Sequence, residues 1–388
     1  MSSFDHIILY CLLYLTAEKY GNYKKYNVKY LKILFVLFYV IIEGLRYGRG
    51  NDQNYVYGPE YLRCLSGSVL RENMEPIYMF ILKSVRTFDP FIDVFVFGSI
   101  FIVYAFIFIF CLLKLYSGFR QYTTHFLLFA LLATLYITEW PIRTGVGFSF
   151  MLPAIFYLTQ CDLSRWKSDA NFWMAILFLA IPPFIHKGDT LGCVLILVFF
   201  LFCNRKIISW KVSLPLLLVL ELTSTATSLM HTLFNYLSVI DVSNGIDDRF
   251  QHYLDDSTLE NEIENSLNGE RSAFTQILAI GYYSSMIIVG YIVTTSKRHS
   301  IWIYNLFVCS MLIAEPFRLL GSAIRMFTPT SVLWFIPMSI AAYYYKEFKA
   351  NKIFFYCYWF FIAYLVMYYG RFVFFNPEAQ YVWSVDSI

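Results

Sequence analysis

Apolar residues fall in long uninterrupted runs along this chain, and the polar and charged residues gather in the connections between them. A bilayer core takes about 20 apolar residues per helix, so the runs read as spanning helices over 4–17, 27–45, 90–113, 124–139, 142–160, 171–186, 188–203, 212–238, 273–295, 300–320, 328–345 and 353–370. Two connections are long. Residues 46–89 carry Gly, Asn, Tyr and Pro and then a helical stretch over 76–88, too short to span. Its Glu75-Pro76 start suits a helix N-terminus, and Lys83 and Arg86 make it amphipathic, so it is expected at the interface or re-entering the membrane. Residues 241–271 hold nine acidic residues against two arginines. Within them Ser257-Thr258-Leu259-Glu260 has capping-box spacing for a short surface helix. No internal repeat or low-complexity tract is visible.

Composition supports the same architecture. Of 388 residues, 58% are hydrophobic and only 15% charged, against about 25% charged in a soluble domain. The expectation is an all-α polytopic integral membrane protein of about twelve transmembrane helices, one transmembrane domain over 1–388. The N-terminus has neither a basic n-region nor a small-residue cleavage site, so the first run is expected to be retained. The eight cysteines are scattered, without C-x-x-C pairs or histidines at zinc spacing, which speaks against a metal centre or a disulfide framework.

Charge placement adds orientation. Cytoplasmic connections retain Lys and Arg. The first holds Lys19, Lys24, Lys25, Lys29 and Lys32, which puts the N-terminus outside. Threading onward, every short connection predicted to be inside is basic, and together they hold 17 of the 30 basic residues, 13 of them lysine. The 13 predicted outside include eleven arginines. Those arginines oppose the topological tendency. Guanidinium is a planar fork that binds carboxylate or phosphate bidentately, so an arginine-rich outer face points to an anionic ligand there.

Particular residues carry that chemistry. Arg46 and Arg49 lie three apart beside Gly48, Gly50 and Asp52, where they form either an interfacial Arg–Asp network or an anion site. Arg143 opens the fifth run in Trp140-Pro-Ile-Arg143-Thr-Gly-Val-Gly147, where snorkelling is the plainer alternative. His186 and Lys187 follow Pro182-Pro183 in a very short outer turn; a histidine there can be structural or a proton acceptor. Arg318 and Arg325 lie two helical turns apart, with Glu315 able to neutralise the first. Glu221 is a carboxylate deep in the eighth run, expected to pack protonated or to bond a Tyr or Thr hydroxyl. Some outer tyrosines and tryptophans could stack on sugar faces, but composition does not select them.

With these residues in place, the chain resembles the EpsG/Wzy-type bacterial exopolysaccharide and O-antigen polymerases. The resemblance rests on Arg46…Gly-Asn-Asp52…Tyr55, Glu75-Pro76, Ile142-Arg143, Phe184-Ile185-His186-Lys187 and Arg325-Met-Phe, in that order over almost the whole chain. It departs at Thr144, where Gln is expected, and at Asn51-Asp52 in place of Thr-Asp. The resemblance implies a GT-C-like glycosyltransferase in the bacterial inner membrane with its active face periplasmic. Such an enzyme moves a growing glycan from undecaprenyl diphosphate onto a second lipid-linked repeat unit. It further implies that Arg46, Arg49, Arg143, Lys187, Arg318 and Arg325 bind the diphosphate, with His186 or Asp52 as base and neither metal nor cofactor. Implied partners are the undecaprenyl-diphosphate-linked oligosaccharide, membrane lipids and a chain-length regulator, and no nucleic acid. An O-antigen ligase-like transferase has the same donor and stays open. A flippase or transporter is the other alternative, although its substrate site belongs near the midplane between internal repeats.

Overall fold

Long apolar runs leave the backbone no partner but itself, so the chain coils into helices wherever proline and glycine allow. The computed structural model describes residues 4–21, 28–45, 63, 74–88, 92–139, 142–222, 273–298, 300–314 and 326–375. Among them all regular structure is helical. The elements are α1 (Phe4–Gly21), α2 (Val28–Gly44), α3 (Pro76–Phe88), α4 (Ile92–Phe119), α5 (Thr123–Glu139), α6 (Ile142–Gln160), α7 (Ala170–Leu179), α8 (Asp189–Phe202), α9 (Trp210–Leu222), α10 (Ala273–Lys297), α11 (Ile301–Ala314), α12 (Thr328–Ser331), α13 (Phe335–Tyr343), α14 (Tyr345–Phe348) and α15 (Lys352–Phe374).

The bundle is turned outward toward an apolar solvent. Its flanks present Tyr30, Ile33 and Leu37 of α2, Val212 and Leu216 of α9, and Tyr356, Val366 and Met367 of α15. Apolar patches of that extent mark contact with a membrane or partner. Three described helical stretches, Phe101–Tyr122, Phe274–Lys297 and Lys352–Arg371, are long and apolar enough to cross a bilayer, and four more are apolar but shorter. α11 is buried on nearly every side, Asn305 and Ser310 included, and forms the centre of the bundle.

Two expected spans are broken, and proline is the reason in both. The run over 171–186 stops being α-helical at Leu179, because Pro182 and Pro183 cannot donate to the ladder; they form a 3-10 turn over Pro182–Phe184 instead. The run over 328–345 divides into α12, a 3-10 turn over Val332–Trp334, and α13. Pro337 has no N–H for the preceding turn, and the tighter 3-10 coil lies in that turn. The remaining expected runs are helical where they are described, with most bounds shifted by a few residues and α4 extended to Phe119, and α6 falls on its expected bounds. Residues 241–271 lie outside the described residues.

Most predicted inside connections meet at one end of the bundle. Tyr122 packs on Tyr343 and Tyr344, and Lys297 sits over Tyr344 and pairs with Glu347. The Asn305 side chain takes the Ile208 N–H and donates to the Cys203 and Lys206 carbonyls. A file of rings, Trp166–Phe172–Phe200–Trp302, ties the 163–168 turn to the same end.

A separate hydrophobic cluster occupies the opposite end. Tyr78 and Leu82 of α3 are wholly buried against Phe101 and Tyr104 of α4, Val146 of α6 and Ile185. The expected helix over 76–88 is thus present, with its apolar face docked on the bundle and Lys83 exposed.

Candidate functional site

Docking α3 carries Glu75 over the start of α6. Glu75 Oε2 accepts a hydrogen bond from Arg143 Nη1 at 3.2 Å, with the two side chains only 10% and 12% exposed. Glu75 Oε1 lies 3.5 Å from the Lys187 backbone N–H, which donates to it. The Arg143 guanidinium also lies over the Tyr78 ring, 5.4 Å from its centre, a cation–π contact. So the arginine is a held fork, seated between a carboxylate and a ring. Snorkelling to water does not describe it.

The turn after Pro182-Pro183 supplies the rest. Its backbone is tied by the His186 and Ile185 N–H groups to the Pro182 carbonyl and by the Asp189 N–H to the His186 carbonyl. This fixes His186 three residues before Asp189. His186 Nδ1 lies 3.4 Å from Thr144 Oγ1 and 3.6 Å from Asp189 Oδ1. Asp189 is 0% exposed, and neither carboxylate oxygen has a full hydrogen bond among the described residues. Such a group is costly to bury, and in a membrane helix it is a functional candidate by default. Two features make its seat tolerable. It occupies the first turn of α8, where the helix dipole favours negative charge. It also fits because residue 147 is glycine: a Cβ there would overlap Asp189 Oδ2 and sit 2.9 Å from its carboxyl carbon.

The pair has a clear chemical capacity. With the proton on Nδ1, directed at Asp189, the imidazole keeps a lone pair on Nε2 and can accept a proton from a hydroxyl. When the ring becomes cationic, Asp189 steadies it. The turn also lies below the N-terminal end of its neighbour α6. Gly147 is five residues into α6, roughly 7 Å along the helix axis, so Asp189 is sunk where charges act strongly, while the His186 side chain keeps 25% exposure.

Of the residues expected from sequence, the structure brings Arg143 and His186 into this one cluster, whereas Lys187 contributes only its backbone N–H and its side chain is exposed. Arg46, Arg49, Asp52, Arg318 and Arg325 lie outside the described residues. Glu221 is buried as expected; the contact seen there is from the Gln276 side chain to its backbone carbonyl. Sequence reading did not anticipate Glu75 as the partner of Arg143, because 68 residues separate them. Nor did it assign roles to Asp189, Thr144 or Gly147. The available signals were the i, i+3 spacing of His186 and Asp189 and the small-residue Gly145-Val-Gly147 stretch after Arg143.

An all-helical bundle with apolar flanks and a sunken ionic cluster defines a membrane protein with a polar site at one end. The profile of the EpsG family matches residues 29–381, nearly the whole chain, and the chain belongs to that family. No curated protein and no solved structure matches it. Family and apolar helices together point broadly to a membrane-bound polysaccharide polymerase.

Proposed function

We propose that this chain polymerises a bacterial surface polysaccharide from lipid-linked repeat units at the outer face of the plasma (inner) membrane. The observation that carries the reading, within a member of the EpsG family, is a cluster combining a held arginine with a histidine that lies beside a buried aspartate.

In this reading the acceptor sugar hydroxyl attacks the anomeric carbon of the donor glycan. The new C–O bond forms as the bond to the diphosphate oxygen breaks. The hydroxyl proton passes to His186 Nε2, and undecaprenyl diphosphate leaves with the electron pair. Diphosphate is a good leaving group, so what the protein supplies is cationic stabilisation of the phosphate oxygens and one base. Arg143 and Lys187 supply part of that charge. Glu75 and Asp189 balance them within the described cluster, so a diphosphate of two or more negative charges calls for further cations. Arg46, Arg49, Arg318 and Arg325 are the residues proposed to complete the clamp. Asp52 is the second candidate base. The same proposal includes a GT-C-like arrangement of twelve spans with the N-terminus outside, a chain-length-regulating partner and a metal-free site. Clustering of most predicted inside connections at the end opposite Glu75 and Arg143 supports that orientation.

The test is deletion of the gene in its host, followed by electrophoresis of the surface polysaccharide. A lost ladder with single-repeat material retained is expected. Loss of the single repeat as well would indicate a flippase, and polymer accumulating on the carrier lipid a ligase. Complementation with Arg143→Lys and His186→Gln, each verified in the membrane fraction, is expected not to restore the ladder. Normal chain length with both variants would refute the site.

A further inference from the structure

Glu75 grips two donors at once, and both grips are long. Its Oε2 lies 3.2 Å from Arg143 Nη1, whereas a charge-assisted N–H···O bond runs at about 2.7–2.9 Å. Its Oε1 lies 3.5 Å from the Lys187 nitrogen, longer than the roughly 2.7–3.2 Å of an ordinary N–H···O bond. The turn satisfies the Ile185, His186 and Asp189 N–H groups internally, and the Lys187 N–H is the one directed at Glu75. Two donors from distant segments thus converge on one pair of anionic oxygens, and neither bond is at full strength.

The carboxylate is also able to leave. Glu75 stands at the very start of α3, where its carbonyl accepts the Met79 N–H, so its side chain hangs before the first turn. The helix itself is anchored further on, by the wholly buried Tyr78 and Leu82. Rotation about the side-chain bonds of Glu75, which keeps 10% exposure, carries the carboxylate toward water without undocking α3. Arg143 stays where it is, because its guanidinium still lies over the Tyr78 ring.

We propose that the seat filled by the Glu75 carboxylate is the seat of one phosphate group of the lipid diphosphate, and that Glu75 yields it on binding. The assignment rests on the polymerase reading above. Carboxylate and phosphate offer a guanidinium the same pair of oxygens, so one replaces the other with no rearrangement of Arg143. A diphosphate carries more negative charge than a carboxylate, and the exchange therefore runs toward the ligand. Departure of Glu75 also unmasks one positive charge, and the exposed Lys187 side chain can close on the incoming anion. The seat adjoins the base. Thr144 follows Arg143, His186 precedes Lys187, and Thr144 Oγ1 lies 3.4 Å from His186 Nδ1. A phosphate held between Arg143 and the Lys187 N–H is thus one residue from the imidazole contact on both segments.

The test measures binding by isothermal titration calorimetry, with the full chain in phosphatidylcholine nanodiscs and geranylgeranyl diphosphate as the probe. Saturable binding is expected. Glu75→Gln keeps the side-chain shape and removes the competing charge, so it is expected to bind about three- to tenfold tighter, on the scale of one partly exposed ion pair. Plain repulsion between Glu75 and the diphosphate predicts tightening as well, and Arg143 separates the two. Exchange requires the pair with Arg143 to break, so in an Arg143→Gln background the gain from Glu75→Gln is expected to vanish. Under repulsion alone the gain persists or grows, because the carboxylate is no longer neutralised. The assignment is overturned by absence of binding, by equal or weaker affinity in Glu75→Gln, or by a gain that survives in Arg143→Gln protein. If affinity in Arg143→Gln falls below detection, its restoration by Glu75→Gln counts as such a gain. Equal tightening for geranylgeraniol, which carries no phosphate, overturns the assignment too. Should Glu75→Gln not fold, Glu75→Asp is one methylene too short to span both donors and is expected to tighten binding; unchanged or weaker affinity there overturns the assignment. Each of those results leaves the polymerase reading standing, which fails instead if the deletion strain keeps its ladder.

Discussion

Gly147→Ala tests how Asp189 is seated, and its energetics can be worked from the structure. The added Cβ would overlap Asp189 Oδ2 and come within 2.9 Å of the carboxyl carbon, while its distance to Pro182 Cβ, 3.5 Å, is ordinary. The clash is therefore confined to one side chain. Overpacking of one methyl in a well-packed site costs about 1–3 kcal/mol. Ala in place of Gly inside a helix returns up to about 1 kcal/mol. The single variant is expected to be destabilised by up to about 2 kcal/mol. In an Asp189→Ala background the obstacle is gone and only the helix gain survives, so the same substitution becomes neutral or stabilising. The double-mutant cycle should then show a coupling of about 1–3 kcal/mol, well above the roughly 0.5 kcal/mol scatter of independent sites. Thermal unfolding of the four proteins in nanodiscs reads it out. Additivity of the two substitutions would mean that the carboxylate does not rest against Gly147, and the proposed orientation of His186 would lose its basis. Chain length in complemented cells should stay short in all three variants, including the double variant that regains stability.

Other consequences are equally specific. Glu75→Gln removes the partner of a largely buried arginine and is expected to cost up to about 3 kcal/mol, discounted from the fully buried case because both side chains keep some exposure. A lowered thermal midpoint, partly regained in Glu75→Gln/Arg143→Gln, checks it. Asn305→Leu deletes three hydrogen bonds of 2.8 Å each that hold the 203–208 connection; at about 1 kcal/mol each, roughly 3 kcal/mol and faster trypsin cleavage near Arg205 and Lys206 are expected. In the 161–169 connection, the hydroxyl and N–H of Ser164 hold the Asp162 carboxyl below its ordinary 3.8. The Asp162 N–H, then that of Asn171, does the same for Asp169. A depressed carboxyl contributes stability above its unfolded value and loses it as pH falls through the folded one. Amide exchange at Ser164 and Asn171, corrected for the intrinsic pH dependence of exchange, should therefore accelerate below about pH 4, and unchanged protection down to pH 2 would contradict it.

What the sequence alone determined here is the helical class, most helix bounds and the alternation of basic connections. All three follow from local rules. An apolar run must bond its own backbone, proline and glycine punctuate it, and lysines stay where lipid headgroups and topology favour them. Residues 142–160 and 76–88 were legible because their ends carry such local signals. Arg143, His186 and Lys187 were legible as candidates because charge near the end of an apolar run is costly wherever the chain goes.

Tertiary structure decided the rest, because the remaining facts are distances between segments far apart in sequence. Glu75 meets Arg143 only because Tyr78 and Leu82 dock α3 onto α4 and α6. Asp189 finds room only because a glycine from α6 faces it. The ring stack of Tyr282, Tyr364 and Tyr368 draws on two helices whose aromatic residues look, in sequence, like any interfacial belt. Periodicity records which face of a helix is apolar, but not which neighbour that face will meet. That choice is made by packing, and the site is assembled where packing closes.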